Sequence, residues 1–332
     1  MSLEMIDTWV AEGDVPAAAA ALVDARGVRE VHVAGAANED SLFALASVTK
    51  PMLALAVLVA AEEGVLDLDR PAADHLPIYR TPTREAITVR HLLAHASGLP
   101  ELAKGVPVLD VEPVRPPAMR RVYSNVGFHV LGELLSTATG IHHAQYVTEA
   151  VIEPLGMDAF LPLPDDHAPR ALEVIEPGLA EPGMQLFNSP EWRRRGSAAG
   201  GGFATAEACG RLLSVLLAGG APLVSSETLA DLETVQWPGL EGGLESFPKL
   251  HCPDWGLGVN IRGTGSPHWC GDEVSPRTAS HFGASGTLVW ADPEAGVGLV
   301  CLANRSTYSG WMLKPGRWAD LSSMVLKNAA RA

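Results

Sequence analysis

Hydrophobic and polar positions along the chain fall into a succession of short elements. Ile6, Trp9 and Val10 recur within residues 4–12 at the spacing of a short amphipathic helix. Two apolar runs, 17–24 and 28–34, flank the turn Ala25-Arg26-Gly27 and read as a β-hairpin. From residue 47 to 64 the chain is apolar nearly all round, which predicts a helix buried on most sides. Residues 88–95 predict a second helix, with Thr88 as N-cap, Gly98 past its end and Pro100 as a stop. Further helices are predicted over 126–139, 144–152 and 206–217. Between Pro162 and Pro190, six prolines and no periodicity predict a long ordered loop over the surface or the cleft. The C-terminal third alternates strand-like runs (255–262, 286–291, 297–303) with turns and closes in a helix around 318–327. Strands at both ends with helices between them imply one sheet built from both termini, with a helical lobe inserted.

Composition narrows the function. The chain has 332 residues, 47% of them hydrophobic and 19% charged, which supplies ample core material. Its 39 acidic against 24 basic residues give a net charge of −15, and there is no long basic run, so neither nucleic acid nor a membrane surface is an expected partner. The longest apolar run, residues 52–61, is about half of what a bilayer crossing requires. Glu4, Asp7, Glu12 and Asp14 all precede the first basic residue, Arg26, the opposite of a secretory signal, so a cytoplasmic protein is expected. Cys209, Cys252, Cys270 and Cys301 are few and irregularly spaced, which suits a reducing compartment. His251, Cys252, His268 and Cys270 match no usual zinc spacing, and His91 and His95 lack the Glu of a zinc protease helix, so no metal is expected.

The clearest chemistry lies in Ser47-Val48-Thr49-Lys50, at the start of the buried helix. Positions i and i+3 share a helix face, so the lysine amine can reach the serine hydroxyl. Serine is a weak nucleophile until a neighbour takes its proton, and an amine stripped of water loses enough basicity to do so. The helix N-terminus adds N–H donors where negative charge would develop. Tyr123-Ser124-Asn125 precedes an apolar helix and offers a phenol as base and an amide that can grip a substrate acyl group. His281-Phe282-Gly283 followed by Ala284 offers a glycine against which substrate could lie and a backbone N–H for an oxyanion. No G-x-S-x-G, dinucleotide or P-loop pattern competes with this set.

S-x-x-K, Y-x-N and H-x-G, in this order, resemble the serine β-lactamase-like and penicillin-binding protein family, in its class C β-lactamase, family VIII esterase and D-alanyl-D-alanine peptidase branch. Val89-Arg90-His91-Leu92-Leu93-Ala94-His95-Ala96-Ser97-Gly98-Leu99-Pro100, Glu153-Pro154-Leu155-Gly156-Met157 and Ala199-Gly200-Gly201-Gly202-Phe203 are similar to the same branch, and the likeness spans residues 15–304 or so. The resemblance implies an α+β fold with an antiparallel sheet flanked by helices. Residues 1–65 and 205–332 would form the α/β lobe, and 66–204 a mostly helical lobe, with the active site between them. It implies Ser47 as the acylated nucleophile, Lys50 as its proton partner and Tyr123 as general base for acylation and deacylation. Asn125 would orient the acyl group, and the N–H groups of Ser47 and Ala284 would form the oxyanion hole. No cofactor is required, and the partner is a small-molecule ester or amide; nothing in the sequence fixes the oligomeric state.

One departure shifts the expected activity. His281 stands where class C β-lactamases carry a lysine that helps hold the drug carboxylate, and a histidine is largely neutral near pH 7. Together with the acidic N-terminus, this favours a carboxylesterase on small esters over a D-amino-acid peptidase or amidase, and over a β-lactamase. A catalytically inactive scaffold of the same fold would not need Ser47, Lys50, Tyr123 and Asn125 together. Seven of the eight Trp follow residue 190; core packing accounts for most, and some are expected to line an apolar acyl pocket.

Overall fold

The structure is a computed structural model and describes residues 3–175, 185–247, 250 and 252–330. The helices that matter for the site are α1 (Met5–Ala11), α2 (Thr49–Glu62), α3 (Val89–Leu93), α4 (Asn125–Thr139), α5 (Ala206–Leu217) and α6 (Trp318–Ala329). The main sheet has strands β1 (Ala17–Asp24), β2 (Gly27–Gly35), β3 (Asn260–Ile261), β4 (Ala279–Gly283), β5 (Thr287–Asp292) and β6 (Val297–Ala303). Its order is β2-β1-β6-β5-β4-β3, and every neighbouring pair is antiparallel. The two ends of the chain therefore meet at its centre, where β1 pairs β6.

The period of two along the strands divides the core into layers. Ala19, Ala21 and Val23 of β1 join Val289, Ala291, Val300 and Leu302 on one face, packed against α2 and α5. Ala18 and Ala20 join Leu288, Trp290, Leu299 and Cys301 on the other, packed against α1 and α6. Residues 49–58 of α2 are all buried, which explains a helix with no polar face. Trp9, Trp269, Trp290, Trp311 and Trp318 belong to the layer under α1 and α6, so they are core. Among the described residues, no helix is long and apolar enough to cross a membrane.

Local signals set the boundaries. Thr88 caps α3 by accepting from the His91 N–H (3.2 Å), while His91 Nδ1 accepts from the Thr88 N–H (3.1 Å). Ser124 caps α4 by accepting from the Gly127 N–H (2.9 Å), and Gly140, at φ +73°, ends it.

Several expectations need correction. The helix predicted over 88–95 stops at Leu93, because His95 takes φ +55°. The helix predicted over 144–152 is α-helical only from His143 to Val147 and continues as a π turn, Thr148–Ile152. The strand predicted over 255–262 shrinks to β3, since Gly258, at φ +80°, turns the chain back so that Trp255 bridges Asn260. No strand is predicted over 279–283, where β4 lies; its five residues are all buried, and their polar, glycine-ended sequence hides the strand pattern. Short helices at Pro190–Arg195 and Ser226–Glu233 were not predicted. Within the proline-rich 162–190 segment, residues 176–184 lie outside the described residues; the rest carries brief 3-10 turns.

Gly283 ends β4 for a packing reason. A Cβ there would stand 2.2 Å from the Leu45 carbonyl oxygen and 2.3 Å from Thr287 Oγ1. Gly283→Ala should therefore destabilise the fold by about 1–3 kcal/mol, the usual cost of overpacking, in denaturant unfolding. Wild-type stability in that variant would mean the strand does not press on this carbonyl.

Candidate active site

Ser47 lies in a 3-10 turn, Ala46–Val48, that feeds directly into α2. Ala46 carries φ +46°, a strained value for a residue with a side chain, placed one step before the serine. The surroundings fix this turn. Ser285 Oγ donates to the Ala44 carbonyl (2.5 Å) and Thr287 Oγ1 to the Leu45 carbonyl (2.9 Å). The Leu45 N–H donates to Gly202 O (2.8 Å), and the Gly202 N–H donates to Thr49 Oγ1 (2.9 Å). The glycine run 200–202 is there for close approach: a Cβ on Gly202 would stand 2.8 Å from Thr49 Oγ1.

Lys50 is fully buried one helical turn on. Its Nζ lies 3.1 Å from Ser47 Oγ, 2.8 Å from Asn125 Oδ1 and 2.7 Å from the Ala199 carbonyl oxygen. Burial pulls its pKa from the ordinary lysine range down to about 7, with Glu101 pulling weakly the other way. The three partners suit both protonation states. An ammonium donates to all three; a neutral amine donates to the amide and carbonyl oxygens and keeps its lone pair for the Ser47 hydroxyl. No rearrangement is needed for this lysine to gain or lose a proton.

Tyr123 is buried beside Ser47 and hydrogen-bonds to it. Burial pushes its phenol well above the ordinary tyrosine range, so it keeps its proton at neutral pH. Lys50 Nζ lies 4.9 Å from the centre of its ring. His95 backs the tyrosine at 4.4 Å between ring centres and packs on Trp255 at 4.6 Å. Its Nδ1 accepts the Ser124 N–H (3.0 Å), and burial drives the imidazole strongly toward the neutral form. The Arg121 guanidinium donates to the carbonyls of Ala94 and Gln236, tying the tyrosine segment to its neighbours. Asn125 is the first residue of α4; its Oδ1 is taken by Lys50, and its Nδ2 donates to no described residue.

The third edge comes from β4 and the residue after it. Neither the Ser47 nor the Ala284 backbone N–H donates to a backbone carbonyl among the described residues. His281 is buried and neutral, its pKa lowered to about 3 by burial and then by Lys50; its Nδ1–H donates to the Phe282 carbonyl (2.8 Å). Ser47, Tyr123, Asn125, His281 and Ala284 line one cavity of about 60 Å³, with Glu101, Trp255 and the Phe247 and Phe282 rings. Gly283 does not line it. The Leu45 carbonyl fills the space that a side chain on this glycine would take.

Two residues at the site were not singled out. His95 was weighed only as half of a metal pair, although its place in the 89–100 run similar to the family was a usable signal. Glu101 sits directly after that run and carried no signal of its own. His91 serves as a cap residue stacked on Trp237 (4.6 Å), and Ser285 is a buried tether. Among the described residues, no group of three or more His, Cys, Asp or Glu is placed to hold a metal; His251 lies outside them.

A serine hydroxyl beside a buried, near-neutral amine and a phenol, with two N–H groups that have no backbone partner among the described residues, is an arrangement suited to nucleophilic catalysis. The chain belongs to the beta-lactamase family, which it matches over residues 4–318, and it is a serine hydrolase of that family. It is similar to the esterase EstB of Burkholderia gladioli, at 26% identity over 86% of this chain and 83% of that one. Among solved structures it is similar to a beta-lactamase (Mb2281c) from Mycobacterium bovis, at 37% identity and a TM-score of 0.72, covering 97% of this chain and 99% of the other. EstA from Arthrobacter nitroguajacolicus shares the fold, with a TM-score of 0.80 at 20% identity over 99% of this chain and 95% of that one.

The Lys50 pKa carries a stability consequence. Between about 7 and the ordinary value near 10.4, the unfolded chain holds a proton that the folded chain has released, so this group makes stability rise with pH. Below about 7 the full cost of burying the ammonium is present. Relative to wild type, Lys50→Met should therefore be most stable below pH 7 and lose about 1 kcal/mol per pH unit from there toward pH 10. Unfolding curves at pH 6 and pH 10 check this; an advantage that grows with pH contradicts it.

Proposed function

We propose that the protein is a carboxylesterase acting on small esters through an acyl-enzyme on Ser47. The observation that carries the reading is the set of partners around Lys50 Nζ: two fixed acceptors and the Ser47 hydroxyl, about an amine poised near pH 7. In acylation, Ser47 Oγ attacks the ester carbonyl and its proton passes to Lys50. The oxyanion is held by the N–H groups of Ser47 and Ala284, and Asn125 Nδ2 reaches the acyl group. Tyr123, protonated at rest, gives its proton to the leaving alkoxide, and the phenolate is stabilised by the new Lys50 ammonium. In deacylation that phenolate takes a proton from water, the hydroxide attacks the acyl carbon, and Lys50 returns its proton to Ser47 Oγ. Tyr123 thus serves as base only in the second half, and Lys50 in the first, because the phenol pKa is raised and the amine pKa lowered.

Charge in the cavity supports an ester over a β-lactam or a peptide with a free terminus. His281 is neutral, and among the described residues no cationic side chain lines the cavity, so none of them offers a substrate carboxylate a partner. The similarity to EstB points the same way. The division into lobes of residues 1–65 plus 205–332 and 66–204, with substrate entering between them, is part of the same proposal.

Ser47→Ala should abolish both p-nitrophenyl butyrate hydrolysis and labelling by a serine-reactive phosphonate, with nitrocefin cleaved poorly by either protein. Labelling that survives would move the nucleophile elsewhere, and brisk nitrocefin cleavage would favour a β-lactamase. Tyr123→Phe should lower ester turnover by about 10²-fold, the scale of losing a general acid–base group; near-normal rates would remove Tyr123 from the mechanism.

A further inference from the structure

We propose that Glu101 sets the charge preference of this site, favouring esters that carry a cationic onium group over neutral or anionic esters of the same shape. This deepens the hydrolase reading above and rests on it. Glu101 lines the same cavity as Ser47. Its backbone carbonyl accepts the Asn125 N–H (3.1 Å), which anchors it beside the start of α4. Its Oε1 accepts from Ser246 Oγ (3.0 Å), whereas Oε2 takes no hydrogen bond from a described residue.

No described basic side chain forms an ion pair with this carboxylate. Lys50 lowers the Glu101 pKa from a distance but is committed to its own three partners, and His281 is neutral. Burial raises the Glu101 pKa, the mark of a charge short of compensation. The rings beside it complete the argument. Phe247 lies 5.2 Å from Tyr308 and 5.3 Å from Phe282, ring centre to ring centre, and both Phe247 and Tyr308 line the cavity. A carboxylate supplies net negative charge and ring faces supply their quadrupole, the pairing that selects a quaternary or protonated amine. A substrate carboxylate in the same recess would meet only repulsion.

Two matched pairs of substrates test this. One carries the charge on the acyl side: p-nitrophenyl 4-(trimethylammonio)butanoate against p-nitrophenyl 5,5-dimethylhexanoate. The other carries it on the leaving group: butyrylthiocholine against 3,3-dimethylbutyl thiobutyrate. The kcat/KM ratio within a pair cancels any effect of Glu101 on Lys50. Wild type should favour the onium member of at least one pair by about tenfold, and Glu101→Gln should bring that ratio to within about twofold of one. Glu101→Asp should retain part of the preference. A wild-type ratio near one in both pairs, or an undiminished ratio in Glu101→Gln, overturns the proposal. Ser47-dependent turnover of the neutral members tests the esterase reading separately. If no ester is turned over, calorimetric binding of the same pairs to Ser47→Ala, with and without Glu101→Gln, reads the charge preference directly and by the same criteria.

Discussion

The structure depends on one costly act, the burial of the Lys50 amine beneath Ser47. A lysine in water holds its proton far above neutral pH and makes a poor base; enclosed by α2, the 199–202 glycine turn and the rings of Tyr123 and Phe128, it holds that proton only to about 7. Its partners, Asn125 Oδ1 and the Ala199 carbonyl, come from two segments far apart in sequence. The helix that begins at Asn125 and the glycine turn must therefore both be in register with α2 before the amine is satisfied.

That requirement explains features that look unrelated along the chain. The glycines at 200, 202 and 283 sit where backbone passes within contact distance of the serine turn, and a Cβ would meet Ala46, the Thr49 hydroxyl or the Leu45 carbonyl. Ser285 and Thr287 spend their hydroxyls on the carbonyls of Ala44 and Leu45. His95 adopts a left-handed backbone, which lets it accept the Ser124 N–H and brace Tyr123. Strain at Ala46 and His95 is concentrated beside Ser47 and Tyr123 and is offset by the packed layers around them.

Much of this was legible in the sequence because the signals were local. The hairpin of β1 and β2, the all-apolar α2, the Thr88 cap and α5 follow from hydrophobic period and capping residues, and the structure has them nearly where expected. Ser47 and Lys50 were readable from their i, i+3 spacing, and Tyr123 and Asn125 from a motif ahead of a helix. β4 was not legible, because a strand buried on both faces beside Ser47 needs no alternation and ends in glycine. Glu101 was invisible because only the fold brings it into the cavity with Ser47. At Gly283 the sequence says that something comes close, and the fold adds that the Leu45 carbonyl is one such neighbour.

The central claim is that Lys50 is a near-neutral amine in the resting protein, and its own titration tests that most directly. In protein labelled with ¹⁵N-lysine, the Nζ resonance assigned to Lys50 by its loss in Lys50→Met would be followed from pH 5 to 11. The account predicts a midpoint near 7, well separated from those of the exposed lysines. A Lys50 amine still charged above pH 9 would contradict it.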